Sequence, residues 1–280
     1  AQAAGLWAFP YPVETSSLLG TRPDLGLNLL RSDQLRALRP QVIAAFTTRQ
    51  IASLNREVIR ALLPEQLSVL RSEQLAGWGP AHFSGFSPEQ LRALDPRAFG
   101  GSGAGRLGSE QVTSFSTDQI KTLSSAQFAA LGSGVLAALR TDSIRVLASG
   151  QVLGFASAQM RALGSDQVAA FDAGVFAAFG PAQLMGLDPM ALRGVTSEQV
   201  AQLRSGQVVA FSSGHLRALG SAQIAAFGTA AMGGFSTRQL GSLQSEQVVG
   251  LGSGQFAVFS SAQVGGISRD AVVGLSGSVF

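Results

Sequence analysis

An apolar residue recurs at every eighth position along most of this 280-residue chain. We number that residue position 0. The residue before it is usually glutamine, as in the octapeptide GSAQIAAF, residues 220–227, where position 0 is Ile224. From Ala104 to Phe280 every eighth residue is apolar. Position +3 is apolar in the same strict way. A period of eight that persists over this length predicts a repeat architecture, with each octapeptide as one structural unit.

The first part of the chain follows the same rule in another phase. Position 0 falls at every eighth residue from Leu27 to Phe99, and the next position 0 is Ala104, only five residues later. The intervening sequence, GGSGAGRLG, is read as a local break or bend, and a domain boundary there is the alternative. The predicted organisation is an aromatic and proline-containing leader or cap at 1–26, octapeptide repeats at 27–102, and octapeptide repeats at 103–280, forming one continuous solenoid with a phase break near 100–104.

The spacing of the apolar residues favours helix over strand. Positions 0 and +3 would lie on opposite faces of a strand, but they share one face of a helix. Glutamine at −1 and Ala, Gly or Ser at +2 complete that face. The opposite face carries Arg at +1 and Asp or Glu at −2 in several octads, and these residues are expected to form i,i+3 surface pairs, as in Glu89 with Arg92 and Asp142 with Arg145. Each octad is therefore an amphipathic helical turn. Small residues at +2 are expected to let neighbouring backbones approach, and the glutamines could form ladders between coils.

Each octad also carries signals that start and stop a helix. Two turns in eight residues would need about 4.0 residues per turn instead of 3.6, so one continuous helix is excluded. Position −3 is often Ser, Thr or Pro. Proline favours the first helical position, which makes −4 the N-cap and lets glutamine at −1 reach back to it. Where −4 is glycine, the serine at −3 is the alternative cap.

Helices this short are marginal in water by themselves, so they must stack on one another. The predicted fold is all-α, a solenoid of very short helices of about one to one and a half turns, one per 8-residue repeat. The period does not fix the number of octads per coil. The predicted structural core consists of residues at positions 0 and +3: Leu184, Leu187, Val200, Leu203, Val208, Phe211, Leu216, Leu219, Ile224 and Phe227.

A longer duplication overlies the octads. The segment that begins at Gln151, QVLGFASAQMRALGSDQVAAF, matches QVVAFSSGHLRALGSAQIAAF from Gln207. The two segments are offset by seven whole octads. Copying of whole blocks is typical of arrays that grow by duplication.

The composition narrows the classes of function. Hydrophobic residues make up 46% of the chain and charged residues 13%, with a net charge of +3 and no cysteine. Disulfides and thiolate metal sites are therefore excluded. No run of like charges marks a nucleic-acid-binding tail, and no apolar run reaches the ~18 residues that span a membrane. The start AQAAGLW suits a mature end left after signal-peptide removal, and a trimmed chain would look the same.

The octapeptides resemble a known class of repeat. LSSAQFAA, residues 123–130, and LGSAQIAA, residues 219–226, are similar to the tandem arrays written roughly LTxxQIxA in long bacterial secreted or surface proteins. The resemblance covers about residues 27–280. It implies an exported, adhesin-like or structural protein, located outside the cell or at the cell surface.

No constellation in the sequence favours catalysis. The only histidines, His82 and His215, both stand at −1 and are interpreted as substitutes for glutamine. Serines are interpreted as helix caps. GGSGAGRLG lacks the GK[ST] of a phosphate-binding loop. We therefore predict a protein that is not an enzyme, with no catalytic residue, no cofactor and no metal site.

The two ends of the array suggest contacts between subunits. The aromatic leader could cover the first coil, or it could add to a neighbouring subunit. At the other end the pattern runs into the last residue, so either the natural chain continues or another molecule covers that end; an open contact of this kind propagates into a filament. The candidate subunit contacts are Trp7, Phe9, Tyr11, Val279 and Phe280.

Two functions remain open at the level of the sequence. The first is an exported bacterial structural protein that self-associates end to end, as a filament or sheath subunit or a surface stalk. The second is a binding solenoid, an adhesin or a scaffold for nucleic acid or protein, that uses the variable Arg-bearing face. A glycan or a host surface is a possible partner, nucleic acid is disfavoured because acids accompany the arginines, and no membrane span is expected.

Overall fold

A computed structural model describes residues 27–83, 85–95 and 104–273. The chain forms two compact units, Ala1–Phe115 and Ser116–Phe280. Within the described residues every regular element is a short helix, and none is a strand. The expected all-α helical-repeat solenoid is thereby confirmed. The arrangement as one continuous solenoid with a phase break stays a prediction, and residues 96–103 of the break lie outside the described residues.

The helices of the first unit follow the octads from the start of the described chain. Among the described residues of this unit, two are 3-10 helices, Leu27–Leu29 and Ala104–Arg106. The α-helices are Ser32–Ala37, Pro40–Ala44, Thr48–Ala52, Arg56–Ala61, Pro64–Leu67, Ser72–Leu75, Pro80–Phe83, Pro88–Ala93 and Ser109–Ser114.

The second unit has the same plan, with one 3-10 helix at Ala191–Gly194. Its α-helices are Thr117–Thr122, Ser125–Ala130, Ser133–Ala137, Thr141–Arg145, Ser149–Val152, Ser157–Arg161, Ser165–Ala170, Ala173–Phe176, Pro181–Gly186, Ser197–Ala201, Ser205–Val208, Ser213–Ala218, Ser221–Ala225, Thr229–Met232, Thr237–Leu240, Ser245–Val249, Ser253–Phe256, Ser261–Gly266 and Arg269–Val273.

Position −4 is the N-cap even where it is glycine. Gly164 has an extended backbone with φ −87° and ψ 168°, and the helix begins at the next residue, Ser165. Gly220 does the same before Ser221. The N–H of each glycine donates to Oε1 of the glutamine at −1. The alternative of a serine cap at −3 is therefore wrong in these octads.

One coil of each unit takes about three and a half octads. Helices three octads apart stack directly, as Ser157–Arg161 does on Pro181–Gly186. Side-chain hydrogen bonds then reach back 28 residues to the preceding coil, as from Gln199 to Phe171. That separation equals three and a half octads, so seven octads complete two coils. The seven-octad duplication therefore copies a block that returns to the same side of the solenoid.

The interior is built from positions 0 and +3. All ten residues assigned to the core from the sequence are buried, with exposed fractions from 0% at Leu184 to 4% at Leu203. Burying a side chain of this size contributes about 1.5–3 kcal/mol. The stacked octads share this burial because no octad could achieve it alone.

Small residues at +2 permit close contact between coils. A Cβ added to Gly154 would lie 2.0 Å from the carbonyl oxygen of Ser125, and one added to Gly194 would lie 2.0 Å from that of Ser165. Each glycine lies against the start of a helix of the preceding coil. A side chain at these two places would push the coils apart.

The candidate subunit contacts Trp7, Phe9, Tyr11, Val279 and Phe280 lie outside the described residues, as does the leader at 1–26.

Candidate functional site

In many octads the glutamine at −1 joins its helix to the coil before it. In Gln199 the Oε1 atom accepts the N–H of Thr196, the N-cap of its own helix, at 2.9 Å. Its Nε2 donates to the carbonyl oxygens of Val168 at 2.9 Å and Phe171 at 2.7 Å. One amide thus satisfies an N–H at the start of its helix and carbonyls at the end of another, the groups that helix ends leave without partners.

This contact, which we call the glutamine bridge, recurs through both units. Each bridging Nε2 donates to carbonyl oxygens 28 to 31 residues earlier. The bridging residues are Gln66, Gln74, Gln90, Gln151, Gln159, Gln167, Gln183, Gln199, Gln207, Gln223, Gln239, Gln247, Gln255 and Gln263. The link between coils is therefore from side chain to backbone, and not a ladder of glutamine amides on one another.

Histidine takes the glutamine place in two octads. The N–H of Gly79 donates to Nδ1 of His82 at 3.0 Å, and the N–H of Ser212 donates to Nδ1 of His215 at 3.3 Å. Burial lowers the pKa of His215, while a hydrogen bond with the Leu187 carbonyl and the charge of Asp188 oppose that shift. The capping bond requires an unprotonated Nδ1, so the contact itself favours the neutral imidazole.

An arginine bridges the coils at the end of the first unit. Nη1 of Arg106 donates to the carbonyl oxygens of Ala76 and Trp78, both at 2.7 Å. These acceptors lie 30 and 28 residues earlier, the same separations at which glutamine bridges elsewhere. Arg106 follows the phase break, so a longer side chain maintains the link where the octad register changes.

The exterior carries ion pairs between −2 and +1. Arg92 lies 3.9 Å from Glu89, and Lys121 lies 3.2 Å from Asp118. Glu89 has a lowered pKa, chiefly because backbone N–H and Ser87 hydrogen bonds stabilise its charged form. Because these pairs are exposed to solvent, they contribute little to the stability of the fold.

The expected pair between Asp142 and Arg145 does not form. Asp142 instead binds Nε of Arg140 at 3.1 Å. Slight burial raises the pKa of Asp142, but hydrogen bonds from Arg140 and the Ser143 N–H outweigh it and lower that pKa overall. Arg140 is the N-cap residue of the helix Thr141–Arg145, which carries Asp142.

Shallow grooves run between octads of consecutive coils. One in the first unit, of about 470 Å³, is lined by Arg36, Arg60 and Phe86 among others. One in the second unit, of about 520 Å³, is lined by Val209, Ser212 and other residues. The first groove includes Ser87 and Glu89, whose hydrogen bond lies at the N-cap of the helix Pro88–Ala93. Over the described ranges, no group of three His, Cys, Asp or Glu side chains could hold a metal ion.

The polar interior is fully satisfied in the part of the chain that the structure describes. No buried side-chain nitrogen or oxygen there lacks a hydrogen-bond partner. Nor is any helix among these residues long and apolar enough to cross a membrane. Most of the buried polar side chains among these residues are bridging glutamines.

Comparison with known proteins identifies part of the array. A family model for the ALTTAQ repeat matches residues 208–245, in the second unit. No curated protein matches the chain. The matched segment begins at Val208, a position-0 residue, and contains the bridging glutamines Gln223 and Gln239. The match and the recurring helices together show a repeat protein.

Proposed function

We propose that this chain is a structural protein, a solenoid that holds a fixed length and presents side chains on its exterior at intervals of one coil. The glutamine bridge carries this proposal. It uses both ends of each amide to fix one coil on another, and it leaves few buried polar groups for any other chemistry. A role other than catalysis is part of the same proposal.

The finer roles that we propose are a filament or sheath subunit, or a surface stalk, of an exported bacterial protein. Three features support them: the absence of cysteine, the low share of charged residues and the likeness to arrays of secreted proteins. Location outside the cell or at its surface is part of the same proposal.

Self-association is supported by an exposed apolar surface of the second unit, which we call its coil face. Val264 and Val272 stand at position 0, yet they are 48% and 46% exposed, whereas Val208 at the same position is fully buried. We propose that a second copy covers this face, in the end-to-end manner that builds filaments.

Negative-stain electron microscopy over a range of concentrations tests self-association. Uniform fibres that lengthen with concentration are expected. The variant Val264→Glu should shorten them, whereas Val249→Glu, on the side of the solenoid and 43% exposed, should not. Isolated short rods at every concentration would refute self-association.

The structural role has a separate test in the length of the molecule. A second copy of residues 151–206 adds seven octads, or two coils. Since packed helices lie about 8–10 Å apart, the second unit should lengthen by about 16–20 Å at constant diameter. Small-angle X-ray scattering measures both dimensions, and a molecule that became wider instead of longer would argue against the fixed spacer.

The second candidate function, a binding solenoid, is favoured by one specific observation. Three exposed arginines of the second unit, Arg161, Arg193 and Arg217, have no carboxylate partner among the described residues.

A further inference from the structure

The basic residues at +1 fall into two groups. Five of them have an acid three residues earlier on the same helix, where an i,i+3 pair can form. By sequence spacing these five are Asp33 with Arg36, Glu57 with Arg60, Glu89 with Arg92, Asp118 with Lys121 and Asp142 with Arg145. Two of them, Glu89 with Arg92 and Asp118 with Lys121, form ion pairs in the described structure. The other three basic residues lack that acid. Arg161, Arg193 and Arg217 follow Ala158, Met190 and Gly214 instead.

The three arginines without an acid share one side of the solenoid. Arg193 comes four octads after Arg161, and Arg217 comes three octads after Arg193. Each step is close to one coil of three and a half octads, and Arg161 and Arg217 are seven octads, or two coils, apart. We call these three residues the arginine column. Along it, guanidinium groups recur on consecutive coils, which stack about 8–10 Å apart.

The arginine column is open to solvent and to a ligand. All three residues are exposed, and no salt bridge joins them to a carboxylate within the described residues. Glu198, in the octad after Arg193, has a lowered pKa because of its own backbone N–H and Thr196, and not because of an arginine. The lowered pKa of Glu198 therefore gives no sign of an arginine partner.

One member of the arginine column, Arg217, is held in place by a backbone carbonyl. Nε of Arg217 donates to the carbonyl oxygen of Ser242 at 3.4 Å, and this contact leaves its two Nη groups for other partners. A guanidinium presents its N–H groups in a planar fork that matches the two oxygens of a carboxylate, sulfate or phosphate. The column thus offers one anion-binding fork per coil.

The neighbouring surface indicates which polyanion fits. Each arginine is preceded eight residues earlier by an aliphatic +1 residue, namely Leu153, Met185 or Val209, all at least 60% exposed. The large exposed hydrophobic side chains of the described residues are all aliphatic. Proteins that hold single-stranded nucleic acid stack its bases on aromatic side chains, and such a platform is missing from this described surface.

We propose that Arg161, Arg193 and Arg217 bind an anionic polysaccharide, with one carboxylate or sulfate group of the ligand against each guanidinium. This surface is independent of end-to-end self-association, since it lies on the side of the solenoid and not on its coil face.

Binding to immobilised heparin, measured for the full chain at low and physiological salt, tests this assignment. Replacing all three arginines, as Arg161→Gln, Arg193→Gln and Arg217→Gln, should weaken binding about tenfold, since each exposed charge pair contributes about a factor of two. The affinity of the unaltered chain should fall as salt rises.

A matched control is present in the first unit. Arg36, Arg60 and Arg92 stand at the same octad position with the same spacings of three and four octads, but each follows an acid. Replacing these three with glutamine removes the same net charge, and it should change heparin affinity less than twofold. An equal loss in both triple variants would overturn the proposal, because binding would then follow net charge alone.

A second set of variants leaves the arginines in place. Ala158→Glu, Met190→Glu and Gly214→Glu add the missing acids at exposed sites and should weaken binding about as much as removing the arginines. A Cβ at Gly214 meets nothing closer than 3.6 Å, so the fold should accept it. Tighter binding of an oligo-dT strand than of heparin would refute the choice of polysaccharide over nucleic acid.

Discussion

Removing one glutamine bridge should loosen two coils at once. Gln199 is 2% exposed and makes three hydrogen bonds, with Thr196 N–H, Val168 O and Phe171 O. A net contribution of about 0.5–1.5 kcal/mol per bond gives a loss of roughly 3 kcal/mol for Gln199→Ala. Its matched control is Gln202→Ala, which removes an exposed glutamine that ends the same helix and should cost less than about 0.5 kcal/mol.

Hydrogen exchange is the suitable assay for Gln199→Ala, because arrays of repeats can open locally without unfolding as a whole. A loss of about 3 kcal/mol should speed exchange roughly 100-fold in the helices Ser165–Ala170 and Ser197–Ala201. Octads more than two coils away should be protected as before. Equal effects of Gln199→Ala and Gln202→Ala would refute the bridge as the link between coils.

The near-isosteric change Gln199→Glu separates size from hydrogen bonding. An ionised carboxylate cannot donate to the Val168 and Phe171 carbonyls, so the variant should be less stable than Gln199→Ala near pH 7. Because one carboxylate oxygen would face the carbonyl oxygens of Val168 and Phe171, the pKa of this glutamate should be raised in the folded state. Its stability should therefore recover as the pH falls and the protonated acid donates again. Stability independent of pH would contradict the arrangement of donors.

Three further predictions follow from the packing. Gly154→Val should destabilise by about 3 kcal/mol or more in urea unfolding, because even its Cβ would lie 2.0 Å from a carbonyl oxygen of the previous coil, whereas Gly150→Ala in the same octad meets nothing within 4 Å and should be tolerated. His215 has a lowered pKa, so the unfolded chain binds more protons; stability should fall as the pH drops below about 6.5, and His215→Gln should remove that dependence in urea titrations at several pH values. Leu219→Asp puts a charge in the core, where the leucine is 3% exposed, and should lower the melting temperature by many degrees, while Val209→Asp, at a site 60% exposed, should leave it almost unchanged.

The periodicity was enough to predict the class of fold and the residues of its interior. Positions 0 and +3 coincide with the buried face because the octad leaves each helix only one apolar side. The number of octads per coil depends on how far each corner turns the chain. That angle is a property of the stacked backbones, and a strict period of eight does not determine it.

Only one of the two contacts of the glutamine bridge could be predicted from the sequence. A capping role for Oε1 follows from the three-residue spacing within one octad. The acceptors of Nε2 lie 28 to 31 residues away, as for Gln199, so they emerge only when the coil is known. The i,i+3 spacing predicts a pair between Asp142 and Arg145. That prediction was wrong, because Arg140 at the N-cap binds the Asp142 carboxylate instead.

The arginine column could not be predicted from the sequence for a related reason. Its members are four and then three octads apart, and this uneven spacing looks irregular along the chain. The missing acids at Ala158, Met190 and Gly214 are a signal that the sequence does contain. They become meaningful once a coil of three and a half octads brings the three arginines to one side.

A distance measurement between two exposed sites tests the coil most directly. The chain has no cysteine, so Leu153→Cys and Val209→Cys can be spin-labelled together without side reactions. The two sites are seven octads apart and are 65% and 60% exposed. Two coils place them about 16–20 Å apart, and pulsed electron paramagnetic resonance should give one narrow distribution near that value. A distance well above that range, or a broad distribution, would contradict the claim that seven octads complete two coils.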